Sequence, residues 1–475
     1  MTSSTAKTAS VRVAFIHPDL GLGGAERLVV DAATELVACG HHVDMFTAYY
    51  DPNRCFEETK TGGFAVHTAG GWFPRHIAGR FLALCAYLRC LLVTLHIAWR
   101  CFRRPAEAYD VIIADQVAIV VPVAKLLMPR TAVLFYCHFP DLLLTQRKSL
   151  LKSLYRAPLD YLEEVSTGAA DLVLVNSKFT AGMFAQTFKR LAARGVSPLV
   201  LYPAVPIPNE DTLKAAGESW QSELDPGLAE FIAGGTTFLS INRFERKKGM
   251  GLALEALHEL LVVQATQPRQ RPGGSAAGGS GGSGNSGSSC SSGVRLVVAG
   301  GYDPRLPENV EHLQELKDLA TQMDLRELVR FVPSFTDRQR TLLLAACQAV
   351  LYTPQHEHFG IVPLEAMAAG RPVVAVNSGG PTESVAHGSA GFLCEPTAAA
   401  FAAAIQQLTD PRVAVDMGRA ARQHVEGDFS RRAFGRQLDG YVRQLVEGKS
   451  GKAVAGTGRD AADGDKGRKR HPKEE

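Results

Sequence analysis

Short apolar runs alternate with amphipathic helical segments along most of this chain, and this alternation restricts its fold more than any other feature. The first run, residues 11–17, leads into a glycine loop, a helix that ends near Cys39-Gly40, and a second strand at residues 43–48. A strand, a helix and a strand in this order form a βαβ unit with parallel strands and a right-handed crossover. The chain is therefore predicted to build a parallel α/β sheet.

Two such series follow one another, which predicts two doubly wound domains of Rossmann-like form. Further strands of the first series are predicted at 111–114, 132–137, 172–175 and 200–203, and those of the second at 237–241, 294–299, 329–332, 350–353 and 373–376. Three prolines at 203, 206 and 208 mark a connector between them. Ligands of open parallel sheets bind beyond the carboxyl ends of the strands, so we expect the domains to face each other across a cleft that holds the active site.

The length of 475 residues is compatible with two to three domains. The predicted parts are an N-terminal domain at 11–205, a C-terminal domain at 206–430, and a C-terminal helix at 431–447 that packs back towards the first domain. Disorder is predicted for the N-terminus at 1–10, the Gly/Ser-rich insertion at 266–293 and the basic tail at 448–475. Segments of such composition cannot bury enough apolar surface to fold.

The net charge and the cysteine content indicate which partners, metal sites and cellular compartments are compatible with this chain. The net charge of +3 is too small to indicate a partner such as nucleic acid. Nine cysteines are scattered without a C-x-x-C pair, so neither a zinc site nor a disulfide framework is indicated, and a reducing compartment is favoured. The first ten residues lack the apolar core of a secretory signal.

The most apolar segment predicts a membrane-associating helix near residues 77–104. Residues 81–99 could just span a bilayer, but Arg89 would lie at the middle and cost about 2.5–3.5 kcal/mol on insertion scales. Arginines flank the segment, and Trp99 lies near one edge. We therefore expect a helix that lies in a membrane surface, and a buried helix of a soluble domain is the alternative.

The second domain contains the stretch on which the chemistry converges, residues 356–367. A helix is predicted to begin there, with three free backbone amides, those of Gly360, Ile361 and Val362. Free amides at a helix N-terminus form a natural anion site. Glu357 precedes this site, and Glu365 follows it inside the first helical turns. The arrangement suits a sugar phosphate, with amides on phosphate and carboxylates on hydroxyls; a surface helix that happens to carry two glutamates is the alternative.

A cationic loop follows the first strand of the second domain. Residues 242–249 contain four cations, Arg243, Arg246, Lys247 and Lys248. Cations beyond the carboxyl end of a strand can form a pocket for a diphosphate, and Arg243 and Lys248 could reach one phosphate pair from two sides. A solvated run of charges is the alternative.

Two features of the first domain complete the candidate site. Gly23 and Gly24 lie in the glycine loop after the first strand, and they would let backbone approach a phosphate or an acceptor closely, unless the loop is only a tight turn. A dinucleotide site is disfavoured, because the second strand lacks the acid that binds the ribose. His138 lies at a strand tip among aromatic residues, where it could meet a substrate or be a satisfied structural histidine. No metal site is predicted, since His356-Glu357-His358 lacks a third clustered ligand.

Together these motifs resemble the retaining glycosyltransferases of family four, which have the two-Rossmann GT-B architecture. The motifs that carry the resemblance are Glu357-x7-Glu365, Arg243…Lys248-Gly249 and the Gly-Gly loop, within residues 11 to about 446. More narrowly, residues 17–33, 136–144 and 241–248 are similar in order and spacing to the mannosyltransferases of dolichol-linked oligosaccharide assembly.

The resemblance implies GDP-mannose as the donor and a mannosylated chitobiose on dolichyl diphosphate as the acceptor. Mannose would be added first in α-1,3 and then in α-1,6 linkage, on the cytosolic face of the endoplasmic reticulum membrane, in contact with its lipid surface. A complex with other early mannosyltransferases is compatible with this activity. No cofactor is implied, and dependence on Mg²⁺ stays open. The alternatives are a family-four transferase that uses another nucleotide sugar, a nucleotide-cofactor oxidoreductase, and a sugar-binding protein without catalysis.

The resemblance also implies a role for each candidate residue. The N-terminal domain would bind the acceptor and the C-terminal domain the nucleotide sugar. Arg243 and Lys248 match the diphosphate-binding pair, Glu357 the acid at the sugar hydroxyls, and Glu365 the acid at the ribose. His138 matches the histidine that meets the donor sugar. The diphosphate cradle corresponds to Gly23, Gly24, Gly360, Ile361 and Val362.

Overall fold

The computed structural model describes residues 9–77, 81–144, 150–266 and 293–457. The chain divides into two compact units, one of residues Met1–Ala204 with Arg431–Glu475 and the other of residues Val205–Ser430. Each unit contains one wholly parallel sheet with helices packed on it. This confirms the predicted pair of doubly wound α/β domains.

The first unit contains seven strands in its described residues. They are β1 (Arg12–His17), β2 (His42–Thr47), β3 (Ala65–Thr68), β4 (Val111–Asp115), β5 (Ala132–Cys137), β6 (Leu172–Val175) and β7 (Leu199–Val200). Its helices are α1 (Gly24–Ala38), α2 (Glu58–Thr61), α3 (Leu82–Arg103), α4 (Val120–Leu127), α5 (Asp141–Leu144), α6 (Leu150–Thr167), α7 (Lys178–Thr187), α8 (Lys189–Ala193) and, from the C-terminal segment, α18 (Arg431–Thr457).

The second unit contains six strands in its described residues. They are β8 (Thr236–Ile241), β9 (Val294–Gly300), β10 (Val329–Pro333), β11 (Ala349–Tyr352), β12 (Val373–Val376) and β13 (Gly391–Cys394). Its helices are α9 (Glu210–Glu223), α10 (Pro226–Ala233), α11 (Gly251–Thr266), α12 (Pro307–Gln322), α13 (Asp337–Ala346), α14 (Ile361–Ala368), α15 (Pro381–Ser384), α16 (Ala398–Leu408) and α17 (Pro411–Asp428).

Each sheet has a topological switch point near its centre. The strand order is β3-β2-β1-β4-β5-β6-β7 in the first unit and β10-β9-β8-β11-β12-β13 in the second. The order therefore reverses between β1 and β4 and between β8 and β11. Connections leave such a point in opposite directions and open a crevice beyond the strand ends, which is where open α/β sheets bind their ligands.

Buried strands place apolar side chains on both faces of each sheet. In β1, Val13 and Phe15 pack on the layer formed by α1 and α18, whereas Ala14 and Ile16 pack on the layer that contains α3 and α4. This follows from the two-residue period of a strand. A strand that is covered on both faces has a continuous run of apolar residues, which is why the central strands could be recognised in the sequence.

Three predicted disordered segments differ in part from the structure. Ser10 belongs to the described chain, and its hydroxyl donates to the Gly40 carbonyl at 2.9 Å. The helix predicted to end at 447 continues to Thr457, so the prediction of a disordered tail from 448 was wrong for its first ten residues. Three of these ten residues are glycines, which disfavour helix, so local propensity does not explain the extension; Lys449 at its start donates to the Thr131 carbonyl at 3.0 Å. Residues 1–8, 267–292 and 458–475 lie outside the described residues.

Helix α3 covers the predicted membrane-associating segment. One face of the helix, which includes Cys90, Val93 and Ile97, is buried against the sheet of the first unit. Arg89 is on this inner face, where it forms an ion pair with Asp19 and donates from Nη1 to Asp19 Oδ2 at 3.1 Å. The inner face of α3 therefore agrees with the alternative of a buried helix, and the expected contact with a membrane surface concerns the outer face.

Candidate active site

Two loops meet at the switch point of the second unit. Residues 242–249 follow β8 and residues 353–360 follow β11, and these strands are neighbours in the sheet. The Thr353 hydroxyl donates to the Lys248 carbonyl at 2.8 Å, which fastens one loop to the other. The fold thus brings together two motifs that lie more than one hundred residues apart in the sequence.

Lys248 and Glu357 form the central ion pair of this site. The Lys248 ammonium donates to Glu357 Oε2 at 2.5 Å, and only 12% of the Lys248 side chain is exposed. The predicted roles gave the lysine to the phosphates and the glutamate to the sugar. In the structure, one contact joins these two residues, so each fixes the position of the other.

The loop that contains Glu357 is held in a strained conformation by two glycines. His356, just before Glu357, has φ = +53°, which is uncommon for a residue with a side chain. The Gly380 amide donates to the Glu357 carbonyl at 2.8 Å, and a Cβ atom at Gly379 would collide with the same carbonyl. This glycine pair was not predicted from the sequence, although the Gly-Gly-Pro run at 379–381, two residues beyond the end of β12, was a readable signal.

The N-terminus of α14 is open towards the same loops. Gly360 precedes its first residue with φ = +78°, and no side chain in the described part of the chain caps the helix. The amides of Ile361 and Val362 are in the first turn, where they have no partner within the helix, and Pro363 has no amide hydrogen. These amides and the helix dipole form a site suited to a phosphate.

Glu365 lies in α14 and is bound by an arginine that the sequence analysis missed. Arg340 on α13 donates to both oxygens of the Glu365 carboxylate, at 2.9 and 3.0 Å. Burial raises the pKa of Glu365 above its ordinary value, although the arginine opposes that shift. A fixed, bidentate partner orients the carboxylate. No sequence motif connects α13 with α14, so this contact could be found only in the fold.

The four cations of the loop after β8 have different partners, which corrects the prediction of a single cationic pocket. Arg246 points to α12, where it donates to Glu315 at 2.6 Å and to Glu311 at 2.8 Å. The exposed Arg243 and Lys247 both pair with Glu245, at 2.8 and 3.0 Å. Only Lys248 is held against the opposite loop.

In the first unit, the carboxyl ends of three neighbouring strands bring together His17, Asp115 and His138. His138 follows β5, and its Nε2 lies 2.8 Å from Asp115 Oδ1. His17 Nδ1 lies 2.8 Å from the other oxygen, Asp115 Oδ2. The sequence analysis selected His138 and missed the other two, which end β1 and β4 and flank the switch point.

The Gly-Gly loop of the first unit surrounds a further acid. Gly23 caps α1 and Gly24 begins it. A Cβ atom at Gly23 would collide with the carboxylate of Glu26, which turns back towards His17 and comes within 4.0 Å of it. A side chain at position 23 would therefore require Glu26 to leave its position beside His17. Within the described residues, no group of three or more His, Cys, Asp and Glu side chains could hold a metal ion.

Two Rossmann-like domains, with an anion-binding helix start and an ordered Lys-Glu pair at a switch point, define a glycosyltransferase of the GT-B class. Residues 22–196 match the family described as Glycosyltransferase Family 4, and residues 289–424 match Glycosyl transferases group 1. The chain belongs to the family of the alpha-1,3/1,6-mannosyltransferases, which confirms the predicted resemblance.

The relatives match over nearly their whole length. The alpha-1,3/1,6-mannosyltransferase ALG2 of Homo sapiens is 46% identical over 439 residues, which cover 91% of this chain and 96% of the relative. That of Dictyostelium discoideum is 44% identical over 439 residues, covering 92% and 98%. Sucrose-phosphate synthase from Thermosynechococcus elongatus has the same fold, with a TM-score of 0.62, 22% identity and coverage of 92% and 100%. Anabaena HepE in complex with UDP is similar at a TM-score of 0.60, 19% identity and coverage of 91% and 100%.

Proposed function

We propose that the chain transfers mannose from GDP-mannose to a mannosylated chitobiose on dolichyl diphosphate, first in α-1,3 and then in α-1,6 linkage, in N-glycan precursor assembly. Family membership supports the mannosyl transfer. The observation that carries the site assignment is the Lys248–Glu357 pair at 2.5 Å, beside the open N-terminus of α14. A cation, free amides and a carboxylate at one switch point match the two ends of a sugar diphosphate.

The leaving diphosphate gains negative charge as the sugar–phosphate bond breaks. Lys248 and the amides of Ile361 and Val362 would stabilise that charge, and each is already fixed by the fold. Fixed donors cost no reorganisation during the reaction, which makes electrostatic stabilisation of this kind effective. Arg243 is exposed on the same loop and would complete the diphosphate site by moving from Glu245 to the phosphates.

Retention of configuration would follow from attack on the same face of the sugar as the leaving group. The bond between the mannose C1 and the phosphate oxygen breaks, and the acceptor oxygen bonds to C1. The proton of the acceptor hydroxyl passes to the departing phosphate oxygen. Glu357 would act by binding sugar hydroxyls and not as a nucleophile, because its carboxylate is neutralised and held by Lys248.

Glu365 and His138 would bind the remaining parts of the donor. Glu365, both of whose oxygens accept from Nη1 of Arg340, would accept hydrogen bonds from the hydroxyls of the ribose. His138 would form a hydrogen bond with a hydroxyl of the transferred sugar. The chemistry needs no cofactor in this scheme. Asp44 on β2 is buried and accepts from the Tyr109 hydroxyl at 2.6 Å, which disfavours a dinucleotide-binding role for the first unit.

The first unit would also bind the cytosolic surface of the endoplasmic reticulum membrane, where its lipid-linked acceptor is found. Helix α3 is long and apolar enough to cross a membrane by length and composition, but its inner face is buried on the sheet. Its outer face exposes Leu95, Trp99 and Phe102, the last at 83% exposure. We therefore favour a helix that lies in the interface, with its outer face in lipid.

Transfer by the purified full chain tests this function. With GDP-mannose and a short-chain lipid-diphosphate trisaccharide, we expect two mannoses to be added in sequence, one α-1,3 and one α-1,6. A matched reaction with UDP-glucose should give no product. Glucose transfer without mannose transfer would refute the donor assignment and favour another family-four activity. A trapped mannosyl adduct on Glu357 would refute same-face attack.

A further inference from the structure

Asp115 is a fully buried carboxylate that the scheme above does not use. It ends β4, and the parallel register aligns it with Tyr136 of β5, two residues before His138. His17 ends the neighbouring β1. The three side chains therefore meet at the carboxyl end of the sheet, beside its switch point. Gln116 follows Asp115 with φ = +62°, a strained conformation of the kind that is found at functional sites.

Each oxygen of Asp115 accepts from a different histidine. His17 Nδ1 donates to Oδ2 and His138 Nε2 donates to Oδ1, both at 2.8 Å. Burial opposes ionisation of Asp115, but the two histidines outweigh it and hold the pKa of its carboxyl below the ordinary value. An ionised carboxylate can only accept, so each facing ring nitrogen carries its hydrogen.

The charges around Asp115 alternate along the cluster. Burial lowers the pKa of His17, but its contacts with Asp115 and Glu26 outweigh burial and raise the pKa to about 9. At neutral pH, His17 is therefore a cation between two carboxylates. The other titratable neighbours are Tyr136, Cys137 and Cys90, and burial raises the pKa of each, so they are uncharged.

We propose that Asp115 is a positioning residue that holds His138 in one tautomer, with hydrogen on Nε2 and a lone pair on Nδ1. Nδ1 is then the atom that accepts a hydrogen bond from a sugar hydroxyl. His17 compensates the charge of Asp115 and holds its second oxygen, so that the carboxylate is fixed for the contact that orients the His138 ring. The substrate half of this inference rests on the proposed function; the tautomer does not.

Asp115→Asn tests the tautomer directly. An asparagine has nearly the same shape, but its amide can donate to Nε2 and so favours hydrogen on Nδ1. Long-range ¹H–¹⁵N correlation of the full chain with ¹⁵N-labelled histidine would report both states, with His138→Gln to assign the signal. We expect hydrogen on Nε2 in the original chain and a shift towards Nδ1–H in the variant. The same tautomer in both proteins would overturn the proposal.

His17→Gln gives a second variant if Asp115→Asn does not fold. It leaves the contact between Asp115 and His138 but removes the cation. We expect a larger fraction of His138 rings with hydrogen on Nδ1, because Asp115 is then no longer fixed through its second oxygen. An unchanged spectrum would contradict the role given to His17.

Kinetics separate positioning from a structural role. By analogy with triads in which the orienting carboxylate becomes an amide, Asp115→Asn should lower kcat by about 100-fold or more. KM for GDP-mannose should change less than about threefold, since the charged side chains proposed to bind the diphosphate and the ribose, Lys248, Arg243 and Glu365, lie in the second unit. In the His138→Gln background, the same substitution should change kcat less than about threefold.

The buried Asp44 gives a matched control. The effects of Asp44→Asn and His138→Gln on kcat should be independent, because the described contacts of Asp44 include no member of this cluster. If Asp115→Asn and Asp44→Asn lowered kcat equally, and each by the same factor with and without His138→Gln, Asp115 would have only a structural role. If the original chain transferred no mannose, the proposed function would fail, while the tautomer measurement would still decide this inference.

Discussion

Lys248→Ala is the most direct test of the diphosphate site, because it changes both the chemistry and the stability of the fold. Loss of one preorganised donor raises an activation barrier by about 2.7–4 kcal/mol, which lowers kcat by about 10²–10³-fold. The substitution also leaves Glu357 without its cation. The side chains are 12% and 27% exposed. The stability cost should therefore lie between the values for surface and buried pairs, at about 2 kcal/mol.

Two measurements check these magnitudes. Mannose transfer at saturating acceptor should show the fall in kcat, and thermal unfolding should show a Tm lower by about 4–8 °C, for a domain of about 200 residues. Lys247→Ala is the matched control, because Lys247 is the next residue, is 69% exposed and pairs with Glu245. It should leave both quantities nearly unchanged.

The double variant Lys248→Ala/Glu357→Gln separates the two effects. Removing the unpaired carboxylate should restore most of the stability, because no buried charge is left without a partner. It should not restore transfer, because the diphosphate still lacks its cation. Recovery of kcat in the double variant would refute the reasoning, since it would mean that Lys248 acts only by neutralising Glu357.

Three further predictions follow from the structure. Arg340→Gln should raise KM for GDP-mannose about tenfold, because Glu365 loses its orienting partner, whereas the exposed Arg338→Gln should not; equal KM values would contradict the ribose role. Phe102→Glu on α3 should weaken sedimentation with phospholipid vesicles, whereas a charge at exposed Val263 of the second unit should not; unchanged binding would exclude this face. Glu163→Gln should remove part of the pH dependence of stability. Burial raises the pKa of Glu163 from 4.5 to about 7. The contribution of Glu163 to the free energy of unfolding is thus fully present below pH 4.5 and is lost as the pH rises through 7. This loss is about 3 kcal/mol at most. The variant should therefore gain stability relative to the original chain between pH 5 and 8 in chemical denaturation, and a constant difference would refute the shift.

Central strands and the principal donor-site motifs could be predicted from the sequence because their signals are local. Strands buried on both faces are continuous apolar runs, and a helix start after a strand is marked by glycine and proline. In contrast, β3 and β13 were not predicted. Both lie at the edges of their sheets, are only partly buried and have four residues each, so their apolar signals are short.

The partners of the candidate residues could be identified only in the tertiary structure. Lys248 and Glu357 are 109 positions apart, and no periodicity along the chain encodes their contact at 2.5 Å. The same holds for Arg340 with Glu365 and for Asp115 between its two histidines. Arg89 is a further case, because the sequence of an apolar helix with one arginine does not reveal that this arginine pairs with Asp19 inside the unit.

By itself, the sequence determined the two parallel sheets, the family and the residues that carry the charges of the donor site. The periodicity of apolar residues, the turn residues and the spacing within motifs are properties of short segments, so they can be recognised without knowledge of the fold. Only the tertiary structure decided which cation faces the loop that contains Glu357, which acid is held by Arg340, and which carboxylate contacts His138. The strand order at each switch point brings these side chains together, because parallel strands end at one edge whatever their separation along the chain.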